Sequence, residues 1–151
     1  MLTQRIGLIG AGQMATALGR GFVASKLVAA ENLLASDPSA DAQRRFAQIT
    51  GGQAATTNEE LVDQSDVVFL AVKPQMLAPV ASALKGKIGP DKLVISVAAG
   101  IRLAALSDWL GEDVRLVRVM PNTPCLVGRG ACGFCLGEKA TTDDGQLVEK
   151  L

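Results

Sequence analysis

Residues 5–15 read RIGLIGAGQMA, and no other stretch limits the possible folds as tightly. Ile6, Leu8 and Ile9 form a short apolar run, interrupted by Gly7 and closed by Gly10. Such a run suits a strand buried on both faces of a parallel sheet. Gly10, Ala11, Gly12, Gln13, Met14 and Ala15 then fit G-x-G-x-x-G/A, and Met14, Ala17, Leu18, Gly21 and Phe22 recur behind them at helical spacing. Strand, glycine turn and helix in that order is the context that gives the motif its weight. Gly10 lets the chain turn sharply, Gly12 leaves bare backbone for a pyrophosphate, and Ala15 lets the helix pack close to the strand. The first free N–H groups, near Gly12 to Met14, point at the phosphates, and the helix dipole favours their charge. A glycine turn that binds nothing is the alternative; the flanking strand and helix put dinucleotide binding ahead of it.

The 151 residues suffice for one domain with a sizeable core. Lys+Arg and Asp+Glu are both 15, so nothing in the charge favours nucleic acid or an anionic membrane as partner. Aromatics are 3% with no Tyr, which weakens a base-stacking surface further. The amino terminus leads directly into the first strand, with no secretory leader pattern, and no apolar run reaches bilayer-spanning length. Cytoplasm is the expected location.

The chain has no His, which removes every His-based triad or general acid. It has three Cys, at 125, 132 and 135. A tetrahedral zinc site needs four ligands, so no metal site is expected. Cys132 and Cys135 fall in a strand candidate, residues 130–136, where positions three apart face opposite sides. They are expected to be buried small apolar residues. The odd count argues against a disulfide framework.

Strand and helix alternate along the rest of the chain. Strands are predicted at residues 33–36, 53–55, 67–71, 93–97, 114–119 and 130–136. Helices are predicted at 40–49, from Thr57 or Asn58 onward, at 74–84, 103–110 and 141–151. The 40–49 helix should turn Ala42, Phe46 and Ile49 inward, and Trp109 should pack. Thr57 and Glu60 have capping-box spacing, Pro74 suits a first helical position, and Thr141 or Thr142 caps the last helix. The pattern means an α/β fold: a Rossmann-type, doubly wound, mostly parallel sheet with helices on both faces. No strand follows the last helix, so residues 1–151 are expected to be one cofactor-binding domain cut from a longer protein.

Ligands in such sheets bind beyond the carboxyl ends of the strands. The candidate loops are therefore Gly10 to Met14; Ser36, Asp37 and Pro38; Ala71, Val72, Lys73 and Pro74; Val97, Ala98, Ala99 and Gly100; and Met120 to Pro124. These five sets should converge in one crevice. Asp37 stands where a carboxylate would accept from a ribose 2′-OH and repel a 2′-phosphate, which favours NAD. A turn residue before Pro38 is the competing reading, and Arg44 and Arg45 nearby read as a solvated helix face. Lys73 leaves a buried edge and could meet a cofactor phosphate, a ribose or a substrate carboxylate; a solvated loop lysine is equally open. Asn122, held between two prolines, has an amide that could donate to a nicotinamide or a substrate.

Four segments, GLIGAGQMA at 7–15, FLAVKP at 69–74, SVAAG at 96–100 and MPNTP at 120–124, resemble pyrroline-5-carboxylate reductase in order and spacing over the whole chain. The glycine motif is shared by many dehydrogenases; the other three together are far more specific. The resemblance implies a two-domain enzyme. A Rossmann domain binds NADP or NAD, and a C-terminal helical domain, absent here, dimerises and completes the active site. The implied reaction reduces 1-pyrroline-5-carboxylate to L-proline, the last step of proline biosynthesis, in a homo-oligomer. By position, Ile9, Gly10, Ala11, Gly12, Gln13 and Met14 would hold the pyrophosphate. Ser36, Asp37 and Asn58 would stand at the adenosine end. Ala71, Val72, Lys73, Pro74, Val97, Ala98 and Ala99 would line the nicotinamide side, with Asn122 nearby. No catalytic residue is expected within this chain, because the family's proton donor is a hydroxyl residue of the helical domain. The family often has a neutral Ser or a basic residue at position 37, so Asp37 departs from an NADPH pattern. The alternatives are a related dehydrogenase of the β-hydroxyacid type, a prephenate- or coenzyme-F420-linked reductase, and a non-catalytic dinucleotide-sensing module.

Overall fold

The computed structural model describes residues 1–121 and 132–151. Its elements in chain order are β1 (Ile6–Ile9), α1 (Gln13–Ala24), β2 (Leu33–Ser36), α2 (Ala40–Thr50), β3 (Gln53–Ala54), α3 (Asn58–Asp63) and β4 (Val67–Leu70). They continue with α4 (Pro74–Ala83), β5 (Leu93–Ser96), α5 (Leu103–Leu110), β6 (Arg115–Pro121), β7 (Cys132–Leu136) and α6 (Thr142–Lys150). Among the described residues one 7-stranded sheet runs β3-β2-β1-β4-β5-β6-β7. Every pairing is parallel except β6 with β7. The chain direction of travel reverses between β1 and β4, which makes that gap the topological switch point. This is the Rossmann-type α/β architecture that the alternating elements predict.

All four residues of β1, β2, β4 and β5 are buried, because helices cover both sides of the sheet. On one side Ile9, Leu70 and Val94 pack with Leu61, Leu77 and Leu106 from α3, α4 and α5. On the other, Leu8, Phe69 and Ile95 pack with Ala15, Phe22 and Phe46 from α1 and α2, and Leu147 and Val148 of α6 lie against that cluster. Trp109 is half-buried against the first cluster, as expected of a packing residue.

Three sequence-level expectations change. The inward stripe of α1 is Ala15, Gly19 and Phe22, whereas Gly21 is exposed. A Cβ at Gly19 would press on Phe46 at 3.1 Å, so the missing side chain lets α1 and α2 approach. In α2 the stripe continues from Ala42 and Phe46 to Thr50, and Ile49 is 46% exposed. The seam runs in steps of four, and Thr50 keeps its hydroxyl satisfied by donating to Phe46 O at 2.8 Å. Cys132 and Cys135 are exposed rather than buried, because β7 is the outermost strand of the sheet and all its residues are exposed.

The last helix is tied down electrostatically. Thr141 and Asp144 form a capping box, which decides the cap in favour of Thr141. Asp144, almost fully buried, accepts from Arg115 Nη1 at 2.6 Å, and the same guanidinium donates to the carbonyls of Pro90 and Asp91. Among the described residues no helix is long and apolar enough to cross a membrane.

Gly7 does more than interrupt an apolar run. A Cβ there would collide with the Leu61 and Ser65 side chains, so its absence seats α3 directly on β1. Gly7→Ala is expected to destabilise the chain by about 1–3 kcal/mol in urea unfolding. Unchanged stability would contradict this close seating.

Candidate functional site

Register brings the strand ends into line. Ser36, Ile9, Leu70, Ser96 and Arg118 are consecutive partners across β2, β1, β4, β5 and β6. Asp37, Gly10, Ala71 and Val97 therefore leave the sheet side by side from its carboxyl edge. Four of the five candidate loops are brought together in this way. The fifth begins on β6, which runs on to Pro121, and Asn122 lies outside the described residues.

The edge is stitched by main-chain bonds. Gly10 N–H donates to Ser36 O at 2.8 Å, Ala71 N–H to Ile9 O at 2.9 Å and Val97 N–H to Leu70 O at 3.2 Å. Gly10 has φ +97°, and a Cβ there would lie 2.9 Å from Ala71 O, so both backbone shape and space require glycine.

Gly12 is the N-cap of α1 and is exposed. The first helical bond runs from Thr16 N–H to Gly12 O at 3.0 Å, so the N–H groups of Gln13, Met14 and Ala15 precede the ladder and open at the carboxyl edge. A Cβ on Gly12 would meet nothing within 4 Å. The protein does not itself use the space that this glycine leaves bare, and that is the fit a pyrophosphate resting on main chain requires. Ile9, Gly10 and Ala11 are buried beneath, Gln13 is exposed and Met14 half-buried.

At the β2 end, the Asp37 carboxylate is engaged twice by main chain. Oδ2 accepts from Ala11 N–H at 2.9 Å and Oδ1 from Ser39 N–H at 2.8 Å. It is thus a turn residue and also a strut on the glycine loop, a role its sequence context did not reveal. Ser36, buried, donates from Oγ to Asn58 Oδ1 at 2.7 Å, which brings Asn58 to the same end. The helix cap is Thr57, whose Oγ1 accepts from Glu60 N–H at 3.1 Å, so Asn58 is the first helical residue. Arg44 pairs with Asp41 on the exposed face of α2, as a solvated helix face would.

On the other side of the switch point, Ala71 and Val72 are half-buried, and Lys73 is the exposed N-cap of α4 with Pro74 in the first turn. Ala98 is buried and Ala99 exposed. Val97 also lines an apolar cavity of about 340 Å³ shared with Phe22, Phe69, Val119 and Phe134. Sequence reasoning missed Gln43, whose amide reaches both the β2 and β3 turns; a lone polar residue in a helix carries no motif.

A sequence profile of the family described as "NADP oxidoreductase coenzyme F420-dependent" matches residues 5–100. The chain belongs to that family. The pyrroline-5-carboxylate reductase of Arabidopsis thaliana is 42% identical over 147 residues, covering 97% of this chain and 53% of the relative. That of Methanosarcina acetivorans is 43% identical over 144 residues, with 95% and 53% covered. Among solved structures, the pyrroline carboxylate reductase of Plasmodium falciparum with NADP bound superposes with a TM-score of 0.87 at 32% identity, covering 98% of this chain and 53% of that one. The resemblance carried by the four motifs is borne out. The chain spans about half the length of the curated relatives it matches.

The position of Asn58 depends on how α3 starts. Glu60 Oε2 accepts from Thr56 N–H at 2.8 Å, and that bond holds the Glu60 carboxyl below its ordinary pKa. A lowered folded pKa means the stabilisation is present above the unfolded value, about 4.3, and is lost as pH falls through the folded one. Glu60→Gln is therefore expected to lose less stability than wild type between about pH 5 and pH 3 in thermal unfolding. Equal acid sensitivity of the two proteins would contradict the assignment.

Proposed function

We propose that this chain is the cofactor-binding half of an NAD(P)H-dependent reductase that converts 1-pyrroline-5-carboxylate to L-proline in proline biosynthesis. The observation that carries the reading is the unused space over Gly12, at a helix N-terminus beside the sheet's switch point. The names of the relatives supply the substrate class.

When bound, the reduced nicotinamide supplies a hydride. The chain's own residues bind and orient it. The N–H groups at the start of α1 take the pyrophosphate, where the helix dipole adds favourable charge. Asp37, with Ser36 and Asn58, receives the adenosine ribose, and its charge makes NADH at least an accepted cofactor beside NADPH. Ala71 to Pro74 and Val97 to Ala99 form the floor of the nicotinamide side, where small side chains let a flat ring lie close to backbone. Hydride transfer to an imine carbon is eased by a proton or hydrogen-bond donor at its nitrogen. In this reading that donor and the site for the substrate carboxylate belong to the helical half of the relatives, which the chain does not span. The whole protein is then a homo-oligomer acting in the cytoplasm.

Fluorescence titration tests the reading. The 151-residue chain is expected to bind reduced nicotinamide dinucleotide and to show no reductase turnover by itself. Gly12→Val should remain folded, since its Cβ meets nothing within 4 Å, and should weaken binding by at least about tenfold. Undiminished binding by the folded variant, or turnover by the isolated chain, would contradict the proposal.

A further inference from the structure

We propose that Gln43 is a positioning residue that sets the choice between NADH and NADPH by fixing Asp37; this rests on the cofactor-binding reading above. Gln43 lies on α2, and its Nε2 donates to Asp37 O at 2.8 Å and to Ala55 O at 3.3 Å. Both partners are carbonyl oxygens, so only the NH2 end of the amide can face them; the reversed amide would set oxygen against oxygen. One side chain thereby joins the turn after β2 to the turn after β3.

Asp37 is consequently held at three points. Gln43 holds its carbonyl, Ser39 N–H holds Oδ1 and Ala11 N–H holds Oδ2. The two side-chain bonds fix where the carboxylate lies, and the Gln43 bond stops the peptide beneath it from rotating. Each carboxylate oxygen retains a lone pair, so a ribose 2′-OH can still donate to it. A 2′-phosphate meets a negative charge that cannot swing aside. Arg44, the nearest arginine along α2, is engaged by Asp41 rather than committed to neutralising that charge. Discrimination therefore depends on rigidity as well as on charge, and Gln43 supplies the part of the rigidity that acts on the Asp37 main chain.

The test measures Kd for NADH and for NADPH by nicotinamide fluorescence in the 151-residue chain, for wild type, Gln43→Met, Asp37→Ser and the double variant. Wild type is expected to favour NADH. Gln43→Met, similar in volume but without a donor, should lower the ratio of Kd for NADPH to Kd for NADH by roughly fivefold. In the Asp37→Ser background the same change should move the ratio by less than about twofold. A merely structural role would weaken both nucleotides equally and leave the ratio unchanged. That result, a wild-type preference for NADPH, or an undiminished ratio change in the Asp37→Ser background would overturn the inference. If Gln43→Met does not fold, Gln43→Leu, which also lacks a donor, carries the same test. A fall in the ratio supports the role, and an unchanged ratio overturns it. Failure of the wild-type chain to bind either nucleotide would instead overturn the underlying reading. Binding of both with Gln43 irrelevant to the ratio would overturn this inference alone.

Discussion

Where Gly10 meets Ala71, the turn leaving β1 touches the turn leaving β4 with no room for a side chain, and the geometry of the whole carboxyl edge follows from that contact. A Cβ at Gly10 would stand 2.9 Å from Ala71 O, and the backbone there adopts φ +97°. The tight turn lets α1 begin two residues after Ala11, with Gly12 as its cap. That start leaves unpaired N–H groups facing the crevice and an uncovered peptide beside them. The proposed anion site is therefore a consequence of strand order and a turn shape, built from main chain rather than from a charged side chain.

Side chains enter as braces on this main-chain frame. Asp37 ties the glycine loop to the β2 turn through Ala11, Ser36 ties β2 to α3 through Asn58, and Gln43 ties the β2 turn to the β3 turn. Each brace joins segments that are close in space and separate in sequence. Preorganisation of this kind lowers the ordering cost of binding. At the opposite edge of the sheet, Arg115 clasps Asp144 and two carbonyls, so α6 is held without any group from the crevice.

The periodic parts of the chain were legible from sequence. Buried four-residue strands, Pro74 at the head of α4 and the Thr57 and Thr141 caps each have a local chemical cause, and the structure reproduces them. The glycine motif was legible because its flanks were. Departures arose where a neighbour distant in sequence decides. Ile49 yields the seam to Thr50 because α1 offers Gly19 at that level. Cys132 and Cys135 are exposed because β7 falls at the sheet's edge, which strand pattern alone does not reveal. The double engagement of Asp37 and the bridging amide of Gln43 also required the turns to be seen together.

The central claim is that a dinucleotide's pyrophosphate rests on the bare peptide at the start of α1. Titrating NADH into the isotope-labelled chain and following backbone amides by NMR tests it most directly. The account predicts that the amides of Gly12, Gln13 and Met14 shift most, with Ala71 and Val97 responding across the switch point. Shifts confined to β7 and α6, with those three amides unmoved at saturation, would contradict it.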